Sequence, residues 1–271
     1  MIKKTVVITG SARGLGYEMA KCFRRKNFNV VISDIDKKNI EQAKEELLKV
    51  KGTGEVMALV CDITKDKDIV SLINKVRKKF ERIDFFINNA GVNQPDKLIW
   101  ECSSDEIKKM IDIDLVGTMM ASKYVMKEMI KQNTGSIYMV LGHGSNDAVI
   151  SGLSIYGTAK RGIKYFASAL AKEAEESKKD IIVGMLSPGI MKTNFLDNAF
   201  GNEKIELDDK KRKVYDILGD YPDVVAKYLV NKMITNNDNN VNINWLTNRK
   251  AVWKFISYRF RKNKKRDGLN K

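Results

Sequence analysis

The chain has 271 residues, 43% of them hydrophobic and 31% charged, which is typical of a folded globular protein and argues against a disordered one. Three cysteines without a CxxC pair and a single histidine argue against a Cys/His metal site, so we predict no bound metal. The formal net charge of +15 makes an anionic membrane or a nucleic acid a candidate partner.

The N-terminal segment MIKKTVVITG lacks the apolar region and the cleavage site of a signal peptide. No uninterrupted apolar run approaches transmembrane length. We therefore expect a cytoplasmic protein that does not span a membrane, with peripheral contact at a membrane surface as an option that its charge leaves open.

Short β-branched strands alternate with amphipathic helices through most of the chain. The predicted strands read TVVITG, NVVISD, EVMALVCDIT, IDFFINNAG, GSIYMVL and IIVGMLSPG. Leu15, Met19 and Phe23 recur at helical spacing after the first strand, and the later intervals carry helical patterns at 37–50, 67–80, 104–131 and 155–176. This alternation predicts an α/β fold: a doubly wound parallel sheet with right-handed crossovers and helices on both faces.

The first turn, TGSARGLG at Thr9–Gly16, follows a strand and opens a helix. Glycines there let the backbone approach a pyrophosphate, and the helix N-terminus supplies N–H donors and a positive dipole. The sequence therefore predicts a dinucleotide-binding turn. Its cofactor contacts are expected from Gly10, Ser11, Arg13, Gly14, Leu15 and Gly16.

Carboxylates follow the second and third strands. Asp34 ends the second strand, where it can hydrogen-bond an adenosine ribose and repel a 2′-phosphate, so it favours NAD over NADP. Arg13 favours NADP instead, because a cation in the first turn can bind that phosphate. The alternative for Asp34 is a solvated aspartate that caps a turn. Asp62 can accept a hydrogen bond from adenine, cap the following helix, or do both. We predict NAD as the cofactor, with NADP as the alternative.

With these features the chain resembles the short-chain dehydrogenase/reductase family. The matching motifs are TG-x-x-x-G-x-G at Thr9–Gly16, NNAG at Asn88–Gly91, Y-x-x-x-K at Tyr156–Lys160 and SPG at Ser187–Gly189, in family order and spacing. The resemblance implies a single Rossmann-type domain with a seven-stranded sheet and a nicotinamide cofactor. It also implies further cofactor contacts, the last of them to the carboxamide: Ile63, Asn89, Ala90, Gly91, Pro188, Gly189 and Thr193.

Tyr156 and Lys160 are four residues apart on one predicted helix, so they share a face. An ammonium near a phenol favours the phenolate and lowers the pKa of the phenol. Tyr156 can then exchange a proton with a carbonyl or alcohol oxygen. The resemblance also assigns Tyr156 and Lys160 to cofactor binding. The alternative is an ordinary amphipathic helix with a packed tyrosine and a solvated lysine.

The chain departs from the family pattern at two positions. Asp114 stands where the family usually has an asparagine that helps a water carry protons from the lysine, and a carboxylate adds negative charge near Lys160. His143 stands thirteen residues before Tyr156, the usual place of a serine, whereas Ser145 stands eleven before it. The segments GHGS, VGMLSPGIMKTNFL and DVVAKYLVNKM resemble the chlorophyll b reductase branch, which has its serine at the eleven-residue distance. We therefore predict Ser145, Tyr156, Lys160 and Asp114 as catalytic residues and His143 as a pocket-lining residue.

We divide the chain into a dinucleotide-binding catalytic core, 1–200, and a region of substrate-side helices with a basic helical C-terminal extension, 201–271. Apolar and cationic residues of this extension fall on separate helical faces, a pattern typical of interfacial helices. They are Trp253, Ile256 and Phe260 on one face and Lys250, Lys254 and Arg261 on the other. The alternative is an ordinary terminal helix docked on the core with a solvated basic end.

Together these features predict an NAD-linked oxidoreductase that transfers a hydride between the cofactor and a carbonyl or secondary alcohol. The branch resemblance favours a bulky apolar substrate, sterol-, lipid- or tetrapyrrole-like. As partners we expect that small molecule, further copies of the chain in a dimer or tetramer, and an anionic membrane surface through the tail, but no nucleic acid. The alternative is a non-catalytic dinucleotide-binding sensor or membrane-surface adaptor, which Asp114 and the displaced serine favour.

Overall fold

The computed structural model describes residues 3–94, 97–192 and 209–267. The strands are β1 Thr5–Thr9, β2 Asn29–Asp34, β3 Val56–Val60, β4 Phe85–Asn88, β5 Thr134–Val140, β6 Asp180–Ser187 and β7 Asn242–Asn244. The helices are α1 Gly14–Arg25, α2 Lys37–Lys49, α3 Asp66–Phe80, α4 Ser104–Met110, α5 Thr118–Gln132, α6 Ser154–Glu176, α7 Asp209–Leu218, α8 Pro222–Ile234 and α9 Asn248–Asp267. A 3₁₀ turn spans Ile99–Glu101, and a π-helical segment, Ile111–Gly117, joins α4 to α5.

All seven strands form one parallel sheet in the order β3-β2-β1-β4-β5-β6-β7. The strand order reverses between β1 and β4, so the connections leave these two strands toward opposite sides. In doubly wound sheets a crevice opens at such a point, beyond the carboxyl ends of the strands, and ligands bind there. The predicted Rossmann-type parallel sheet is confirmed.

The sheet is buried on both faces, and the two-residue period of β1 shows how. Val6 and Ile8 pack with apolar residues of α1, α2 and α8, whereas Val7 packs with residues of α3, α5 and α6. All three side chains are fully buried. A parallel strand covered by helices on both sides carries apolar residues at successive positions, which explains the run Val6–Ile8 within TVVIT.

The region beyond residue 208 differs from the helices that the pattern predicts there. It contains β7, the seventh strand of the sheet, and α8, which packs against α1. The described residues beyond the predicted boundary near 200 therefore contribute to the same core, and the division of the chain at that point stays a prediction. None of the helices within the described ranges is long and apolar enough to cross a membrane.

The helical stretch predicted at 104–131 is interrupted by the π-helical segment. Wider turns of this kind are rare and are found frequently at functional sites. Here the segment carries Asp114, whose side chain is fully buried although its neighbour Asp112 is exposed. The segment packs against α6, the helix that carries Tyr156 and Lys160.

Candidate active site

A cavity of about 830 Å³ lies at the carboxyl ends of the strands. This volume falls within the range of small-molecule and cofactor sites. Its walls come from the first turn, the end of β2, the segments after β3, β4, β5 and β6, and the start of α6. The predicted site residues on these walls are Gly10, Arg13, Gly14, Leu15, Asp34, Asp62, Ile63, Asn89, Ala90, Gly91, Tyr156, Lys160, Pro188 and Gly189.

The three glycines of the first turn are needed for different reasons. Gly10 has φ +58°, and a Cβ there would lie 2.6 Å from the Ala90 Cα. A Cβ at Gly16 would lie 2.5 Å from Asn89 Nδ2, so α1 could not pack as closely on the sheet. Gly14 has φ +61° but open space around its missing side chain. Gly14 therefore presents bare backbone to the cavity at the N-terminus of α1.

Asn89 braces the first turn from the neighbouring strand. Its Nδ2 donates hydrogen bonds to the carbonyl oxygens of Thr9 (3.0 Å) and Gly10 (2.8 Å). Ser11 has a similar internal role: it is fully buried, its hydroxyl donates to Ile8 O at 2.7 Å, and it does not line the cavity. A cofactor contact through the Ser11 hydroxyl stays a prediction, and in this structure that hydroxyl holds the turn against the sheet.

The end of β2 carries Asp34, the carboxylate expected to meet the adenosine ribose. Asp34 lines the cavity, and its Oδ2 accepts a weak hydrogen bond from Ala12 N at 3.3 Å. Asp36 lines the same wall and caps α2, where its Oδ1 accepts a hydrogen bond from Asn39 N. Arg13 faces the cavity from the first turn and is exposed. Two carboxylates and one guanidinium therefore line this end of the cavity.

Asp62 lines the cavity after β3 but is held by its own turn. Its Oδ1 accepts hydrogen bonds from the Thr64 N–H and hydroxyl, and its Oδ2 lies 2.9 Å from Lys65 Nζ. Partial burial raises the pKa of Asp62, but these hydrogen bonds outweigh burial and lower it. The position that caps α3 is Lys65 and not Asp62, so the helix-cap alternative is wrong.

Tyr156 and Lys160 lie on the first two turns of α6 and are both buried. Lys160 Nζ is 5.4 Å from the centre of the Tyr156 ring and 2.9 Å from Asp114 Oδ2. The other carboxylate oxygen of Asp114 accepts a hydrogen bond from Val92 N at 2.8 Å. Three predicted catalytic side chains thus meet in one buried cluster, although Asp114 itself does not line the cavity.

The charges of this cluster act on each other. Burial raises the pKa of Tyr156, the Lys160 ammonium counteracts this, and the Asp114 carboxylate adds to the increase, so the net pKa is raised. Burial alone would lower the pKa of Lys160, but Asp114 and Tyr156 raise it. Lys160 lowers the pKa of the phenol as expected, but burial and the Asp114 carboxylate raise it by more.

Gln94 was missed by the sequence analysis, and it holds the start of α6. Its Oε1 accepts hydrogen bonds from Ile155 N at 3.0 Å and from Tyr156 N at 2.9 Å. Leu153, which precedes the helix, offers no capping side chain. Because Gln94 is buried and lies some sixty positions earlier in the chain, it caps α6 from outside and fixes the backbone of Tyr156.

Gly142 is a second residue that the sequence analysis missed. A Cβ at this position would lie 2.2 Å from the Tyr156 hydroxyl, so only glycine leaves room for the phenol. The Gly142 carbonyl accepts a hydrogen bond from the Ser145 hydroxyl at 2.7 Å. Tyr156 and Ser145 therefore flank the same glycine, with the Ser145 hydroxyl turned toward the backbone and not lining the cavity.

His143 lines the cavity, as predicted for a pocket residue. Its Nε2 is buried and has no hydrogen-bond partner among the described residues. Burial lowers the pKa of His143, so the ring is neutral at pH 7.

The segment after β6 closes the cavity at the other side. Pro188 and Gly189 line it, and Gly189 has φ +73° with Leu246 Cβ 2.7 Å from where its own Cβ would lie. Ile190, Met191 and Lys192 continue the same wall. Thr193, the predicted carboxamide contact, lies outside the described residues.

Known proteins resemble this chain in sequence and in fold. A sequence profile of the short chain dehydrogenase family matches residues 4–204. Carbonyl reductase family member 4 of Xenopus laevis is 32% identical over 196 residues, which cover 71% of this chain and 78% of that protein. Chlorophyll(ide) b reductase NOL of Oryza sativa subsp. japonica is 31% identical over 83% of this chain. The chain spans 65% of the length of that plant protein, so it corresponds to part of it.

Two solved structures share the fold at lower identity. Levodione reductase superposes with a TM-score of 0.80 and 23% identity, covering 92% of this chain and 98% of the other. The 3-ketoacyl-(acyl-carrier-protein) reductase from Brucella melitensis complexed with NADH gives a TM-score of 0.78 and 22% identity, covering 92% and 100%. The match over residues 4–204 exceeds half of the chain and contains the buried tyrosine–lysine pair and the first turn. The chain therefore belongs to the short-chain dehydrogenase/reductase family, whose enzymes use a nicotinamide cofactor to interconvert carbonyl and alcohol groups.

Proposed function

We propose that this oxidoreductase uses NAD to interconvert a carbonyl and a secondary alcohol on a bulky apolar substrate. The observation that carries the proposal is the buried cluster of Tyr156, Lys160 and Asp114 at the wall of a cavity that begins at the glycine turn. A titratable phenol beside a cation in such a place suits proton transfer at a substrate oxygen.

The cavity walls fit a dinucleotide. Gly14 offers backbone with a positive φ and open space at the N-terminus of α1, the arrangement that binds a pyrophosphate. Asp34 would bind the adenosine ribose of the cofactor. Lys160 and Tyr156 would bind its nicotinamide end. When bound, the nicotinamide supplies or accepts the hydride.

The residues of this chain handle the proton. In the reducing direction the Tyr156 phenol donates its proton to the carbonyl oxygen, and in the oxidising direction its phenolate takes the proton from the alcohol. The Lys160 ammonium stabilises that phenolate, and Asp114 holds the ammonium in place. Ser145, after rotation of its hydroxyl away from Gly142 O, would donate a hydrogen bond to the same substrate oxygen.

The preference for NAD rests on charge at the adenosine end of the cavity. Asp34 and Asp36 both line it, and a 2′-phosphate there would meet two carboxylates. Arg13 opposes this preference. Apolar side chains along the cavity, including Leu153, Ile190 and Met191, favour a substrate with a large hydrocarbon surface. The plant chlorophyll(ide) b reductases among the relatives act on such a molecule, which supports the same substrate class.

A spectrophotometric screen tests the proposal. Reduction of NAD and of NADP is followed with hydroxysteroids, prenyl alcohols and long-chain alcohols, and we expect turnover with NAD on at least one of these classes. The second candidate is a non-catalytic dinucleotide-binding sensor, favoured by the carboxylate beside Lys160. Tight binding of NADH without turnover on any of these alcohols or the matching ketones would support the sensor instead. We also propose that the chain forms a homodimer or homotetramer, which its mass in solution tests.

A further inference from the structure

Helix α9 packs against the rest of the protein through the side that carries Lys250 and Lys254. Lys254 Nζ lies 2.6 Å from Asp220 Oδ2 and 2.9 Å from the carbonyl oxygen of Leu218. Lys250 lies over the ring of Trp245, whose Nε1 also donates to Asp220 at 2.7 Å. Lys250 and Lys254, predicted with Arg261 to form the cationic face of an interfacial helix, are therefore half-buried and hold the helix on the core. The side chains of Phe260 and Arg261 lie outside the described residues.

The opposite side of α9 exposes large apolar side chains. Val252 is 58% exposed, Trp253 66%, Phe255 42% and Ile256 43%, and we call these four residues the α9 apolar face. A helix on the surface of a globular protein normally turns such residues toward the core and its lysines toward water. The packing of α9 is the reverse, and a contiguous exposed apolar surface of this kind indicates a contact site.

The charge around this surface identifies what covers it. From Arg249 to Lys271 the sequence has ten Lys or Arg residues and one acidic residue, a net charge of +9. A second copy of the same face would bring two strongly cationic segments together, which is unfavourable. An anionic lipid surface offers both the apolar interior and the negative charge that the segment needs.

We propose that the α9 apolar face docks the protein on an anionic lipid bilayer. Trp253 and Ile256 enter the boundary between headgroups and acyl chains, and the net positive charge of the segment favours an anionic over a neutral bilayer. This inference does not depend on the reaction proposed above.

Cosedimentation of the full chain with vesicles tests the docking. We expect pelleting with vesicles of phosphatidylcholine and phosphatidylserine, little with phosphatidylcholine alone, and release at high salt. The double variant Trp253→Ala/Ile256→Ala should bind the anionic vesicles at least about tenfold more weakly than the parent protein. The matched control is Val149→Ala/Tyr165→Ala, which removes two exposed apolar side chains elsewhere and should pellet like the parent protein. Thermal unfolding checks that both variants are folded.

Three results would overturn the proposal. The parent protein could fail to pellet with anionic vesicles. The Trp253/Ile256 variant could pellet as well as the parent, which would mean that the basic residues bind lipid without the apolar face. The variant could instead have a lower mass in sedimentation equilibrium than the parent and the control, which would identify the face as a contact between copies of the chain.

Discussion

Lys160 Nζ lies 2.9 Å from Asp114 Oδ2, and the two side chains are 7% and 0% exposed. The cation that should favour the Tyr156 phenolate is therefore already paired with an anion. Without that anion the burial of Tyr156 would still raise the pKa of the phenol, but Lys160 would oppose it more effectively. The Asp114 carboxylate, at a position where the family resemblance implies an asparagine, thus makes the phenol a weaker acid.

Replacement of Asp114 by asparagine should move the pH dependence of alcohol oxidation to lower pH. Oxidation needs the phenolate, so its rate rises with pH through the pKa of Tyr156. Removing the carboxylate lowers that raised pKa, so we expect the inflection to shift to lower pH. The measurement is kcat against pH for Asp114→Asn and the parent protein on one alcohol.

Asp112→Asn is the matched control for that experiment, because Asp112 is on the same π-helical segment and is exposed. It removes the same formal charge and should leave the inflection in place, since water screens a charge at the surface. An unchanged inflection in Asp114→Asn, or an equal shift in both variants, would contradict the role given to the buried carboxylate.

Tyr156→Phe should abolish turnover and leave the affinity for NADH nearly intact. The ring still packs, but the proton that the substrate oxygen needs is gone, and loss of a general acid/base typically costs at least ~10²-fold. Tyr165→Phe removes an exposed hydroxyl from the same helix and should be silent. Steady-state kinetics and NADH fluorescence titration separate the two effects. Turnover in Tyr156→Phe close to that of the parent would falsify the assignment.

Gly142→Ala should reduce turnover by displacing the phenol. The added Cβ would lie 2.2 Å from the Tyr156 hydroxyl, a distance at which one of the two groups must move. A shift of about 1 Å at a reacting group can cost ~10²-fold. Gly157→Ala is the control, since its Cβ would lie 3.8 Å from its nearest neighbour. Kinetics of both variants check this, and equal rates would show that the phenol position tolerates the methyl group.

The sequence predicts those strands and helices whose own residues form an apolar run or a helical period. The first six strands are apolar runs, and α6 is a continuous helical pattern predicted at 155–176 and found at Ser154–Glu176. Strand β7 has only three residues, of which only Ile243 is buried, so it has neither a run nor an alternation to recognise. It is a strand because β6 lies beside it, which is tertiary information.

In the site, too, the sequence predicts neighbours within one segment but not contacts between distant segments. Tyr156 and Lys160 are neighbours by helical periodicity alone, and negative charge near Lys160 was expected from Asp114. Gln94 contacts the start of α6 from some sixty residues earlier in the chain. Gly142, which contacts the phenol, lies in a loop that has no hydrophobic periodicity. Such contacts depend on how loops fold over the sheet, and a single sequence carries no local signal for them.

Asp34 should determine the choice of cofactor. We expect the parent protein to have a lower dissociation constant for NAD than for NADP, because the Asp34 carboxylate lines the cavity and would repel a 2′-phosphate. Asp34→Ala should narrow or reverse that difference, and Arg13→Ala should widen it, since it removes the opposing cation. Titration of each protein with both cofactors is the measurement. Tighter binding of NADP by the parent would mean that Arg13 dominates.

The residue that holds the reacting oxygen is the last open assignment, and two side chains compete for it. Ser145 can donate without changing charge, but its hydroxyl donates to Gly142 O in this structure and must rotate to reach a substrate. His143 lines the cavity with an unpartnered Nε2, but its pKa is lowered by burial, so a rate that depended on it would inflect below its usual pKa of about 6.5.

Ser145→Ala should lower kcat by about 10²- to 10³-fold, the usual cost of removing one donor to a developing oxyanion. His143→Ala should mainly change KM, because it alters the shape of the cavity wall without removing the donor. Ser151→Ala and Ser154→Ala are the controls and should change little, since both lie at the turn into α6 and neither lines the cavity. Kinetics of the four variants on one substrate between pH 5 and 9 decide the matter, because only a histidine titrates within reach of that range. A silent Ser145→Ala together with loss of both activity and the acidic inflection in His143→Ala would transfer the role to the histidine, at the family's thirteen-residue spacing from Tyr156.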